Sequence, residues 1–161
     1  MLRQRMWAIF GRKSQAREPE EENAQGEEPD LHQWLPPVFA QTLERTIGPD
    51  QQPLAVLFVP SDRTLEWRPG RALVLLDDGV LVMEEGESVI INQRWGVKTL
   101  FCPYRQVAAV GIGHALLRAR FTLYAAGNAP ACEIPLHWYD LTSFRAAAAL
   151  IRERVAALST S

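Results

Sequence analysis

The chain predicts a mainly β (α+β) domain: a bent antiparallel barrel or sandwich of about seven strands, preceded by a short helix and closed by a C-terminal capping helix. Three observations carry this expectation. Between Leu54 and Trp138, short apolar runs are separated by turn residues, as successive strands are. Beyond them, Phe144, Ala148, Ile151, Val155 and Leu158 recur at helical spacing. A length of 161 residues, 47% apolar with five tryptophans, suffices for one sizeable core and leaves no room for a second.

Taken in order, Leu31 to Gly48 has the marks of the short helix. Pro36 and Pro37 stand at its start, where a missing N–H costs little, and Phe39, Leu43 and Ile47 form a stripe. Gly48 and Pro49 are expected to stop it. Leu54 to Val59 gives the first strand. Ala72 to Leu76 and Val80 to Glu84 follow as a hairpin turned by Asp77, Asp78 and Gly79, since Asp-Gly is a strong hairpin signal. Further strands are expected at Ser88 to Arg94, Val97 to Phe101, Tyr104 to Val110, Ala115 to Ala125 and Ala131 to Trp138. In the longest of these, Leu117, Ala119, Phe121 and Leu123 face the core while Arg118, Arg120, Thr122 and Tyr124 face away. Asp140 or Thr142 is placed to cap the last helix.

The net charge of −2 conceals a strong asymmetry. Residues 1–17 carry Arg3, Arg5, Arg12, Lys13 and Arg17 with no acid, and residues 18–30 carry seven acids with no base. The remaining twelve basic and twelve acidic residues balance. The chain therefore divides into a leader, 1–30, basic then acidic and expected to be disordered, in which Gly11 to Asp30 cannot repay its ordering entropy, and a domain, 31–161. A balanced domain argues against nucleic acid, which needs many uncompensated cations. Leu2, Met6, Ile9 and Phe10 share one helical arc, so the leader offers Leu2, Met6, Trp7 and Phe10 for insertion and Arg3 and Arg5 for anionic headgroups. Residues 1–13 thus suggest contact with an anionic membrane surface. Met6 to Phe10 is too short for an export signal or a membrane span, so the cytoplasm, with a peripheral place at the inner face of the membrane as an option, is the expected compartment.

The order of about seven strands and then one amphipathic helix resembles the bacterial PH-like domains, a family with the pleckstrin-homology-like fold. Arg71-Ala-Leu-Val-Leu-Leu-Asp-Asp-Gly-Val-Leu-Val-Met83 looks like the family's early hairpin, and Phe101 to Val110 resembles its middle strand. Ala115 to Tyr124 looks like the long strand that follows, and Ile134 to Leu158 like the last strand and capping helix. The resemblance implies a fold and a binding or assembly role. It transfers no active site. Distant relatives that bind phosphoinositides use basic residues around the first hairpin. Arg63, Arg68 and Arg71 fall near that region, but Asp62 and Glu66 dilute them, and solvated loop arginines are the simpler reading.

The residues themselves point to little chemistry. His32, His114 and His137 stand apart, with no ligand spacing around them. Ser61, Ser88 and Ser143 have no triad context, and Gly111-Ile-Gly113 lacks the third glycine and following helix of a nucleotide loop, reading instead as a bend between strands. Cys102 and Cys132 read as small buried apolar residues. No catalytic residue, metal or cofactor is expected. Trp34, Trp95 and Trp138 are expected to fill the core, whereas Trp67, in a turn-rich loop, is the first candidate for a partner contact together with Arg63, Arg68 and Arg71. The leading expectation is a non-enzymatic interaction module. Its sheet edge, or the groove between sheet and helix, would receive a peptide, a protein partner or another copy of the domain.

Overall fold

Ala72, Leu73, Val74 and Leu75 are consecutive and all buried, so the strand they form is covered on both faces. The computed structural model describes residues 35–48, 51–61, 68–86, 96–115, 118–126 and 130–159. Helix α1 (Pro37–Thr46) is followed by β1 (Ala55–Val59), β2 (Arg71–Leu75), β3 (Gly79–Glu85) and β4 (Val97–Pro103). A 3₁₀ turn, Tyr104–Gln106, leads into β5 (Val107–Ala115), β6 (Arg118–Ala125) and β7 (Pro130–His137). A second 3₁₀ turn, Trp138–Asp140, opens directly into α2 (Leu141–Ser159).

These strands make two antiparallel sheets, one in the order β1-β2-β3-β4 and one in the order β5-β6-β7. The bent seven-stranded structure with helices before and after it is the expected architecture, in its sandwich form. Among the described residues no strand closes the two sheets into a barrel.

The main core lies between the sheets. Leu57, Leu73, Leu75, Val80 and Val82 of the first sheet meet Phe121, Leu123, Ile134 and Leu136 of the second, and α2 closes the stack with Phe144, Ala148 and Ile151. Phe121 and Phe144 pack edge to face, their centroids 5.5 Å apart. On the other side of the first sheet, α1 lays Phe39, Ala40 and Leu43 over Ala72, Val74, Leu76, Leu81 and Met83. Each fully buried side chain of this size contributes about 1.5–3 kcal/mol, which is why neither face of β2 could carry polar residues. Helix α1 ends because Ile47 turns to extended backbone (φ −91°, ψ 141°), one residue before the glycine expected to stop it.

The hairpin β2–β3 turns at Asp77 and Asp78, with the Leu76 N–H donating to the Gly79 carbonyl at 2.9 Å. Gly79 is required by close approach. A Cβ there would lie 2.6 Å from the Cys102 carbonyl oxygen and 2.7 Å from the Phe101 ring.

Several strand boundaries differ from expectation; Ala115, expected to open the long strand, instead ends β5, and β6 begins at Arg118. Tyr104 to Gln106 is a turn, held because the Tyr104 N–H donates to the Asp78 carbonyl (3.1 Å) and its hydroxyl to the Leu76 carbonyl (2.9 Å). Gly111-Ile-Gly113 is no bend: all three residues continue β5, opposite Thr122, Phe121 and Arg120. A Cβ at Gly111 would meet the Tyr124 ring at 3.7 Å, an ordinary van der Waals contact, and one at Gly113 would meet nothing within 4 Å, so space requires neither glycine. The expected strand Ser88 to Arg94 lies outside the described residues, as does the leader.

Candidate functional site

Chemistry needs converging reactive groups, and among the described residues Cys102 and Cys132 share the main core while the histidines stand apart. His114 lies in β5 opposite Ala119, and His137 ends β7. No group of three His, Cys, Asp or Glu among the described residues could hold a metal. Ser143 is buried in α2. Burial pushes the Cys102 thiol up, and pushes that of Cys132 to about 11 against a backbone hydrogen bond at Leu123, so both stay protonated, weakly nucleophilic thiols. Glu84 accepts from the Arg71 guanidinium at 2.6 Å, and Glu85 accepts from the Gly70 N–H at 3.1 Å. Every buried side-chain nitrogen or oxygen among the described residues has a partner.

Among the described residues, exposed large apolar side chains cluster in two places. The first is β4, which pairs with β3 along one edge and with no strand along the other among the described residues. Val97 reaches the cluster under α1 and Cys102 reaches the main core, but Lys98 to Phe101 between them are exposed. Leu100, opposite Val82, and Phe101, opposite Leu81, point to different faces and remain 42% and 43% accessible. An edge strand with apolar groups on both faces is a template for another strand. One of the two edge strands of the second sheet, β7, is blunted by Pro130 and Pro135, which lack the N–H a further ladder would need.

The second feature is the junction of β7 with α2. Ile134 and Leu136 point into the core, and strict alternation would send Trp138 after them. The strand stops at His137, however, and the 3₁₀ turn swings Trp138 outward, while Phe144 of α2 fills the core. Trp138 is therefore 64% and Tyr139 50% exposed, which overturns the expectation that Trp138 fills the core. The His137 and Tyr139 rings stack at 5.1 Å with planes 6° apart, and Trp138 meets Tyr139 edge-on at 6.0 Å. Asp140 fixes the turn by accepting the His137 N–H at 3.3 Å; its burial raises its pKa, against the His137 hydrogen bond and charge.

A shallow cleft adjoins this turn, lined by Val59, Pro60, Arg68, Pro69, Arg71, Pro135, Leu136 and His137. It gathers two of the four residues named for partner contact. Arg68 sits half-buried on its wall, and Arg71 is neutralised by Glu84. Arg63 and Trp67 lie outside the described residues, as do Leu2, Arg3, Arg5, Met6, Trp7 and Phe10 of the leader. No helix among the described residues is long and apolar enough to cross a membrane.

Both features had a signal in the sequence. Leu100 and Phe101 are consecutive apolar residues in a short strand, which without a cover on each face must leave one of them wet. Trp138-Tyr139-Asp140 stands where a strand pattern hands over to a helical one, and a change of period at that point removes the parity that would bury the tryptophan.

No family model matches the chain, and no curated protein matches it. Among solved structures, the chain is similar to the crystal structure of a DUF1696 family protein with a pleckstrin-homology domain from Shewanella loihica. The two are 16% identical with a TM-score of 0.48, over 77% of this chain and 98% of that one.

Proposed function

We propose that this domain is a non-enzymatic binding module whose β4 edge receives an extended segment of a protein partner or of a second copy of the chain. The observation that supports this reading is the contrast between β4, whose outer edge has no partner strand among the described residues and whose Leu100 and Phe101 are exposed on opposite faces, and a proline-blunted β7. An added strand would take its affinity from main-chain hydrogen bonds and its selectivity from alternate side chains meeting Leu100 on one face and Phe101 on the other.

Panning extended peptides against the full chain tests the idea, with sedimentation over a concentration series as the arm for self-association. Selected peptides should be apolar at alternate positions and should slow amide exchange from Val97 to Cys102. Leu100→Lys should weaken them about tenfold or more, because a charge on an edge strand opposes pairing. A chain that selects no peptide and stays monomeric at high concentration would sink the proposal. So would a bound peptide that leaves β4 exchange unchanged.

A further inference from the structure

The aromatic turn between β7 and α2 lies outside the strand edge just described and has its own charge pattern. Arg118 is the cross-strand neighbour of His137, and both are exposed on the outer face of the second sheet, since Ala119 and Leu136 beside them face inward. On the helix side, Trp138, Thr142 and Arg145 follow at spacings of four and three and are all exposed, so Arg145 lies on the same side as Trp138. Neither Arg118 nor Arg145 makes an ion pair among the described residues. The acids of this region are occupied: Asp140 with the His137 N–H, Glu133 with Arg120, and Glu84 with Arg71.

We infer that this turn is an interfacial anchor for an anionic lipid surface, with Trp138 and Tyr139 seated at headgroup depth and Arg118 and Arg145 meeting lipid phosphates on either flank. Trp and Tyr favour that depth because each joins an apolar body to a polar N–H or O–H. The rings project from a turn and are propped against one another, so they keep a fixed outward posture without a partner. A nucleic-acid strand fits the same residues poorly. It needs open ring faces and a groove of cations along the backbone, whereas His137 and Tyr139 already cover one face of each other, and Arg71 and Arg120 nearby are paired with Glu84 and Glu133. Two arginines and two rings give weak, salt-sensitive attachment, suited to reversible contact.

Vesicle flotation of the full chain decides the matter, with phosphatidylcholine alone compared against phosphatidylcholine doped with phosphatidylserine. The chain should float with the anionic vesicles and not the neutral ones, and added salt should release it. Trp138→Ala with Tyr139→Ala should abolish flotation while leaving the circular dichroism spectrum unchanged, because both side chains are at least half exposed. Arg118→Gln and Arg145→Gln should each weaken binding about fivefold. Brominated lipid should quench tryptophan emission, and Trp138→Phe should remove that quenching. Wild-type chain that ignores anionic vesicles overturns the inference. The same holds if the aromatic double variant floats like wild type, or if flotation is lost only on neutralising Arg3 and Arg5 of the leader. Binding of a single-stranded oligonucleotide, in place of vesicles, that depends on Trp138 and Tyr139 would overturn it as well.

Discussion

The two sheets of this domain are built from the same kind of strand and live in different surroundings. In the first, β2 and β3 are buried on both faces, one against the main core and the other under α1. In the second, β6 and β7 bury alternate residues, Thr122 apart, and leave Arg118, Arg120, Glu133 and His137 in water. The difference shows that loss of alternation in a strand reports a second cover, and that where the cover runs out, as it does over β4, the sheet is left with apolar residues to spare.

The largest test of this contrast is Phe39→Ala. Phe39 is 2% exposed and meets Phe58 edge to face at 5.2 Å, so its loss opens a cavity between α1 and the first sheet and should cost about 3–5 kcal/mol in denaturant unfolding. A cost near zero would mean that the outer face of the first sheet does not depend on α1, and the comparison would fail. Gly79→Ala comes next. Its methyl group would press on the Cys102 carbonyl and the Phe101 ring, forcing β4 away from β3 at a cost of about 1–3 kcal/mol, visible as faster amide exchange along β4.

Tyr104→Phe sharpens the comparison at the passage between the sheets. It leaves the Leu76 carbonyl without its 2.9 Å donor and should cost about 1 kcal/mol. The tyrosine also sets an alkaline limit. Burial foremost, reinforced by Asp77 and Asp78 and opposed by Arg154, pushes its pKa from 10.0 up to about 12. Because the folded-state pKa is the higher one, its contribution is complete below pH 10 and is lost as pH rises through about 12. The variant should lack that part of the alkaline stability loss in pH-dependent denaturation. The smallest effect belongs to the wet face of the second sheet: Arg120→Ala removes an exposed 3.1 Å pair with Glu133 and should leave the melting temperature unchanged within error.

Much of the fold was legible because burial leaves a period in the sequence. The run from Ala72 to Met83, broken by Asp77-Asp78, announced a hairpin, and Phe144, Ala148 and Ile151 announced the face of α2. What escaped depends on where a period stops. Leu158 continues the helical stripe, yet it is 55% exposed near the end of α2, where burial has faded from Ile151 through Val155. Thr122 was read as facing solvent and is buried opposite Gly111. Glycines in β5 read as a bend because their usual role is conformational, whereas here both continue the strand, opposite Thr122 and Arg120. Of the candidate surfaces, the sheet edge was foreseen as a type of site but not assigned to β4. The aromatic turn was missed, because a tryptophan two residues beyond a buried leucine reads as core until the strand is known to end between them.

The strand order has a kinetic meaning as well. Among the described residues each strand pairs only with its neighbours in the chain, and the close links β2–β3, β5–β6 and β6–β7 can zip with little loop entropy lost, whereas β1–β2 and β3–β4 are joined by longer connections. The distant closure is left to α2, whose Arg154 reaches Asp77 across 77 residues and whose Arg152 donates to the Val110 carbonyl at 3.0 Å. Both meanders can therefore form before α2 docks. Until α2 docks, the floor of the core around Phe121 stays open, and that interval is when the domain is most vulnerable to aggregation.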